Sequence, residues 1–476
     1  MFKKIRHIHF VGIGGVGMSG IAEVLHNLGY QVSGSDLKVS EHALRLQGLG
    51  VTVQIGHDPA NVQDADVVVR SSAVSPENPE IIAATVHAIP VIQRAEMLAE
   101  LMRMKKYGVA VAGTHGKTTT TSMVATVLAQ AGLDPTVVIG GRLDALGSNA
   151  KLGQGEFLVA EADESDGSFL KLAPTIAVVT TIDAEHLDYY RDLQQIKETF
   201  LEFINKVPFY GSAILCLDQE EIRDLLPRIQ KRIVSYACNA RADLTAEGVS
   251  LTGLNSTFKV RFKGEPLGEV QLRVPGLHNV SNALAAIAVG LELEIEFAEI
   301  RTALGEFSGV ARRFQVKGSP QDIMVVDDYA HHPAEIQATL QAARAGFERR
   351  LIAVFQPHRY TRTSRLLHEF ASAFDLADQV IITEIYPAGE APIAGVSGRQ
   401  LADLVASRRG PEVLYVERKE EIADRVVDLA RPGDMVITMG AGDIWKAGEQ
   451  IVGRLQGAAV SNQPSGISEK PIAERQ

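Results

Sequence analysis

A chain of 476 residues exceeds what one hydrophobic core normally supports, so two to four domains are expected. Hydrophobic residues at 46% and charged residues at 22% give the balance of an ordinary soluble globular protein. A net charge of −11 excludes the basic footprint that a nucleic-acid partner requires. Only Cys216 and Cys238 occur, with no Cys-x-x-Cys spacing for zinc or redox chemistry. A reducing, cytoplasmic setting is therefore expected, and Cys216, within an apolar run, reads as core packing. Lys3, Lys4 and Arg6 ahead of an apolar stretch imitate a signal peptide, but His7, His9 and the glycines deny it an apolar h-region. No apolar run is long enough to span a bilayer, so no membrane insertion is expected.

The first strand, His7 to Val11, runs into Gly12-Ile-Gly-Gly-Val-Gly17 and a helix carrying Ala22, Val24, Leu25 and Leu28. Gly12, Gly14 and Gly17 satisfy G-x-G-x-x-G, and a second strand from Gln31 ends in Asp36, about twenty positions on. Such a turn binds a diphosphate and such a carboxylate a ribose hydroxyl, whichever base is attached. NAD and a nucleotide-sugar diphosphate both fit, and a β-α-β unit without ligand is the plainer alternative. A third strand, Ala65 to Ala73, brings Ser71 and Ser72 to the edge where open α/β sheets bind ligands; there they contact the ligand or cap the next helix. Pro90 to Leu101 reads as a strand and an amphipathic helix, and the basic Met102 to Lys106 as a linker.

Tyr107 to Ala112 is an apolar strand that breaks into Gly113-Thr-His-Gly-Lys-Thr118. Gly113 and Gly116 remove side chains where backbone N–H groups turn inward, the helix N-terminus favours an anion, Lys117 adds a cation and Thr118 offers Mg²⁺ a hydroxyl. Val111 stands where the longer phosphate-loop pattern has its first glycine, so this is the shorter G-x-x-G-K-T form. A glycine turn capping a surface helix is the bland alternative, against which the following apolar positions Met123, Val124, Val127 and Leu128 argue. Gly155 to Gly167 is a strand entering a cluster of acids, where Glu161 or Asp163 stands in position to reach Mg²⁺. The strand beginning at Thr175 ends near His186, at the same sheet edge, which favours function over a satisfied structural histidine. His278, Asn279 and Asn282, in the first turns of an apolar helix, are set to face a purine; capping explains Asn279 or Ser281 but less well all of them.

In the third region, Ile323 to Pro333 is a strand ending in Asp327, Asp328, Tyr329, His331 and His332, and Leu351 to Arg362 a strand ending in His358, Arg359 and Arg362. Two arginines in one short loop provide bidentate capture of a carboxylate or phosphate. Asp434 to Trp445 completes a third α/β unit, and the stretch from about Gly457 reads as a disordered tail.

Six motifs in order, Gly113-Thr-His-Gly-Lys-Thr-Thr-Thr120, Glu161-Ala-Asp-Glu-Ser-Asp166, Gly276-Leu-His-Asn-Val-Ser-Asn-Ala283, Ala311-Arg-Arg-Phe314, Asp327-Asp-Tyr-Ala-His-His-Pro333 and Gln356-Pro-His-Arg-Tyr-Thr-Arg362, together resemble the Mur ligase family. The resemblance implies an α/β protein of three domains: a Rossmann-like N-terminal domain (1–104), a central P-loop ATPase-like domain (105–308) and a C-terminal Rossmann-like domain (309–456), with a tail over 457–476. It implies an ATP- and Mg²⁺- (or Mn²⁺-) dependent ligase of peptidoglycan precursor synthesis that joins the carboxylate of UDP-N-acetylmuramate to L-alanine. Monomer and homodimer both remain open. Gly12, Gly14, Gly15, Gly17, Ser19, Asp36, Ser71 and Ser72 would hold the UDP-sugar. Gly113, Thr114, His115, Gly116, Lys117, Thr118, Thr119, Asn279, Asn282, Arg313 and Asp328 would hold ATP. Thr118, Glu161 and His186 would meet metal, and His186, Tyr329, His331, His358, Arg359 and Arg362 would frame L-alanine. Lys117, His186 and Arg313 are the expected catalytic groups.

One departure is informative. Relatives in that family carry a carbamoylated lysine downstream of the His186 motif, and Phe200 stands at that position, with Lys197 three residues away. The modification is therefore not expected here. Rival readings are a sister ligase that attaches a ready-made peptide, an NAD-dependent oxidoreductase, and a non-catalytic nucleotide sensor. The last two leave the phosphate loop or the His358–Arg362 loop without a task.

Overall fold

The computed structural model describes residues 5–143, 148–187 and 189–461. Among them the chain forms three sheets in two compact units, one running to Ala311 and one beginning at Arg312.

The first sheet comprises β1 (His7–Val11), β2 (Gln31–Asp36), β3 (Thr52–Ile55), β4 (Val67–Arg70) and β5 (Val91–Gln93), in the order β3-β2-β1-β4-β5 and parallel throughout. β1 is buried at every position, as a parallel strand covered on both faces must be. The order reverses between β1 and β4, so the glycine turn after β1 and Ser71 after β4 flank the crevice where such sheets bind ligands.

The second sheet contains β6 (Tyr107–Ala112), β7 (Thr136–Leu143), β8 (Ser148–Lys151), β9 (Phe157–Glu161), β10 (Ile176–Val179), β11 (Ser212–Cys216), β12 (Ile233–Ala237), β13 (Leu244–Thr252), β14 (Asn255–Phe262) and β15 (Glu265–Leu272). β6 lies between β10 and β9, all parallel, which brings the phosphate loop, the acids after β9 and the residues after β10 to one edge. β13–β15 form an antiparallel meander that carries none of the chemical motifs. It turns through Gly253 and through Lys263-Gly264, all at positive φ. One hydrophobic core runs from Ile8 and Phe10 of the first sheet to Ile287 and Val310 beside the second.

The second unit holds β16 (Gln315–Gly318), β17 (Met324–Asp328), β18 (Arg350–Phe355), β19 (Gln379–Thr383), β20 (Val413–Val416) and β21 (Asp434–Met439), ordered β16-β17-β21-β18-β19-β20. Its sheet is covered on both faces, by a cluster with Phe355, Phe370 and Phe374 and by another with Val325, Val436 and Ile451. The last helix, Trp445–Ser461, carries helical structure into the first five residues of the expected tail, and 462–476 lie outside the described residues. Among the described residues no helix is long and apolar enough to cross a membrane.

Candidate active site

In the first sheet the glycine turn is built by its own backbone. Gly12 sits at φ +84°, where a side chain is strained, and the amides of Gly12 and Ile13 donate to the Ser35 carbonyl at 2.8 and 3.0 Å. Asp36 accepts from the Gly14 amide at 2.9 Å, so its carboxylate shapes the turn as well as standing at the strand end. A Cβ on Gly14 would lie 2.7 Å from Ser40 Oγ. The helix Val16–Asn27 then starts with no side-chain cap and no acid in its first turn, which leaves its amides open to an anion. Gly15 is its N-cap, and Ser19 donates to the Val16 carbonyl within the first turn. Ser71 packs beside Gly12, and Ser72 lines a small cavity with Arg94, Asp166 and Ser168.

Sequence reasoning missed two residues here. Arg94, at the head of the helix Arg94–Arg103, lays its guanidinium against Gly17 and pairs with Asp163 at 2.9 Å. Asn149, on β8 and 2% exposed, donates to the Val16 carbonyl and sits 3.3 Å from Ser19 Oγ. No local pattern distinguishes either from a surface arginine or a strand asparagine.

The phosphate loop is pinned to the residues after β10. Thr114 N donates to the Thr181 carbonyl at 3.0 Å, His115 N to Thr181 Oγ1 at 2.7 Å, and Asp183 N to Thr114 Oγ1 at 2.9 Å. Gly113 at φ +137° has no room for a Cβ, which would collide with Thr180 Oγ1 and stand 2.9 Å from Thr181 N. Gly116 at φ +80° caps the helix Lys117–Gln130, and a Cβ there would lie 2.6 Å from Asn282 Oδ1. Asn282 accepts from Thr120 Oγ1 and donates to Asn279 Oδ1, while Asn279 donates to the Pro275 carbonyl at 2.7 Å. Both asparagines are buried and their amides engaged behind the loop, whereas His278 is exposed.

Lys117 donates to the carbonyls of Gly113 (2.6 Å) and Thr114 (3.2 Å) and pairs with Glu164 at 2.9 Å. Burial pushes its ammonium down, but Glu164, Asp163 and Glu185 outweigh it and hold the pKa above the ordinary value. Thr118 is half-buried and Thr119 buried. Glu161, at the end of β9, lays its carboxylate against Gly140, where a Cβ would lie 2.5 Å from Glu161 Oε2. His186, at φ +54°, stands 3.6 Å from Glu164 and 4.0 Å from Glu185. Burial lowers its pKa, and the two glutamates more than reverse this. Asp163, which burial would raise, is instead lowered by Arg94 and Lys117. The acid run thus separates into Glu161 against Gly140, Asp163 on Arg94 and Glu164 on Lys117. Phe200 is fully buried against Phe169 (centroids 5.2 Å apart), and Lys197 pairs with Asp224 at 2.6 Å.

In the second unit the strand ends also converge. The guanidinium groups of Arg312 and Arg313 lie 5.0 and 5.2 Å from the Tyr329 ring, Arg312 pairs with Asp327 at 3.1 Å and Arg313 approaches Glu335 at 3.7 Å. Asp328 accepts from the amides of Phe314 and Ala330, and burial raises its pKa to about 6. His331 packs on Tyr329 and His358, and His358 stacks on Tyr386 with centroids 5.6 Å apart. Burial, together with His331, Arg362 and Arg359, lowers His358 to about 3, so it is a neutral acceptor, 3.2 Å from an Arg362 guanidinium nitrogen. Arg359 holds φ +69°, and its half-buried side chain makes no hydrogen bond to a described residue. His332 does not join this group but caps the helix Pro333–Gly346 together with Glu335.

Three family signatures match the chain: "Mur ligase family, catalytic domain" over 7–106, "Mur ligase middle domain" over 111–290 and "Mur ligase, glutamate ligase domain" over 312–442. The UDP-N-acetylmuramate–L-alanine ligase of Geotalea uraniireducens is 59% identical over 457 residues, covering 96% of this chain and all of that protein. Among solved structures, the UDP-N-acetylmuramate-alanine ligase of Thermotoga maritima superposes with a TM-score of 0.81 at 33% identity, covering 95% of this chain and 99% of that one. A murein peptide ligase of Psychrobacter arcticus gives 0.69 at 27% identity over 94% and 98%.

Proposed function

The chain belongs to the Mur ligase family, and from that premise we propose that it joins the carboxylate of UDP-N-acetylmuramate to the amine of L-alanine at the expense of ATP, in the cytoplasm. The observation that carries this reading is the full-length identity of 59% to a ligase named for those two substrates, with the phosphate loop intact. The family signatures also span the phosphate loop and the third sheet, which the oxidoreductase reading leaves unused.

The sugar nucleotide's diphosphate is taken by the uncapped amides of Val16 and Gly17, at a helix N-terminus with no acid in its first turn. ATP phosphates are taken by the amides of Gly116 to Thr118, at the start of the helix, and by Lys117. Thr118 and Glu161 are hard oxygen donors of the kind that suits Mg²⁺; with His186 they would hold the ion, which neutralises phosphate charge when bound. A carboxylate oxygen of the muramate attacks the γ-phosphorus, the bond to ADP breaks, and an acyl phosphate forms. The alanine amine then attacks the acyl carbon, loses its proton, and the tetrahedral intermediate expels phosphate to leave the amide. Lys117 stabilises the charge that develops on the transferred oxygens. Arg359 and Arg362 hold the alanine carboxylate, and neutral His358 keeps Arg362 oriented.

Incubation with ATP, UDP-N-acetylmuramate and labelled L-alanine tests this directly. Alanine-dependent ADP release with a labelled UDP-muramoyl-alanine product is expected. Folded protein that yields no such product refutes the assignment, and a tripeptide used in preference to alanine identifies the sister ligase instead.

A further inference from the structure

Glu164 is among the least exposed carboxylates of the first unit and belongs to no role described so far. An ammonium has three N–H donors, and those of Lys117 are all engaged: on the Gly113 carbonyl, the Thr114 carbonyl and Glu164. The first two bonds keep the lysine on its own loop. Only the third is an ion pair, so it alone must be exchanged when a phosphate arrives. The main chain of Glu164 is held in place, its carbonyl accepting from the Tyr190 hydroxyl at 2.5 Å and from the Gly167 amide at 3.0 Å. The second neighbour of its carboxylate is His186 Nε2 at 3.6 Å, and the His186 carbonyl is in turn fixed by the amides of Tyr189 and Tyr190.

We propose that Glu164 is a positioning residue that competes with nucleotide phosphate for Lys117, yields the lysine when ATP binds, and thereafter keeps His186 oriented. A buried lysine without a counter-charge would be costly, so the pair preserves the loop before substrate arrives. The same pair competes with phosphate for one ammonium, which sets a ceiling on nucleotide affinity.

The inference rests on the ATP reading above, and calorimetric titration of Mg·ADP into wild type, Glu164→Gln, Lys117→Met and the double variant separates the two. Glu164→Gln is expected to bind Mg·ADP about threefold to tenfold more tightly than wild type, while kcat for ligation falls. In the Lys117→Met background the same change is expected to leave affinity unaltered. A purely structural role predicts lower thermal stability without tighter binding. Affinity that is unchanged or weaker in folded Glu164→Gln overturns the proposal, as does tightening that persists without Lys117, which would mark a general field of the acids. Should Glu164→Gln fail to fold, Glu164→Asp, which withdraws the charge by one methylene, is expected to tighten binding by less; no tightening overturns it. Wild type that binds no Mg·ADP refutes the proposed function itself.

Discussion

Replacing Glu80 by glutamine removes a charge from the interior of the first sheet. Glu80, in the first turn of the helix Pro79–Val86, is fully buried and accepts from Ser35 Oγ, from Asn61 Nδ2 at 2.6 Å and from the Asp58 amide at 3.4 Å. His57 Nδ1 lies 3.1 Å away and His9 Nε2 3.8 Å away. Burial alone would raise this carboxyl, yet the contacts with His9, Ser35 and Asn61 hold it at about 2 against an ordinary 4.5. At 1.36 kcal/mol per pH unit, that preference for the ionised form is worth about 3 kcal/mol to the folded state. Glutamine keeps one acceptor and turns an amide toward a site built for a carboxylate, so a loss of about 2–3 kcal/mol is expected. With an unfolding entropy of about 2.1 cal/mol/K per residue, a cooperative unit running to Ala311 then loses roughly 3–5 °C in Tm. The sign with pH follows from the depressed folded pKa. The contribution is complete above about pH 4.5 and is lost as pH falls toward 2, so wild type and variant should differ most at pH 7 and converge in acid. Thermal unfolding of both proteins from pH 3 to 8 measures this. Equal Tm at pH 7, or a gap that persists undiminished at pH 3, refutes the reasoning. Ser35 also offers its carbonyl to Gly12 and Ile13, so KM for the sugar nucleotide should rise in the variant while KM for ATP does not.

Gly113→Ala forces a Cβ against Thr180 and Thr181 at φ +137° and is expected to raise KM for ATP about tenfold or more, with sugar-nucleotide binding by calorimetry unchanged. Arg94→Ala removes the cation beside Gly17; steady-state kinetics should give about a tenfold higher KM for UDP-N-acetylmuramate, and an unaltered KM would deny it that role. Because Phe200 is buried among aromatic rings and Lys197 is committed to Asp224, activity should survive bicarbonate depletion; loss restored by bicarbonate would contradict this. Arg359→Gln and Arg362→Gln should each raise KM for L-alanine by about ten- to a hundredfold without changing Mg·ADP affinity, as loss of a charged hydrogen bond requires.

The parts of this protein legible in the sequence are those whose chemistry is local. Gly12, Gly113 and Gly116 adopt positive φ because the backbone must turn where a strand becomes a helix, and that demand is written in consecutive residues. The parallel strands announce themselves for the same reason, since Ile176–Val179 of β10 and Ala213–Cys216 of β11 are apolar at successive positions. Within Glu161-Ala-Asp-Glu164, by contrast, three acids look alike along the chain, and only their neighbours separate them: Gly140 beside Glu161, Arg94 on Asp163, Lys117 on Glu164. Asn282 meets Gly116 from 166 residues away by packing of two helices, and Glu80 meets His9 across the first sheet. The meander β13–β15 adds strands to the sheet without a chemical motif to mark it. Sequence by itself determined where the backbone turns and which residue types stand at the strand ends. Tertiary structure decided which charge each of them faces, because a partner's identity is set by long-range packing, and a short stretch of chain holds no record of it.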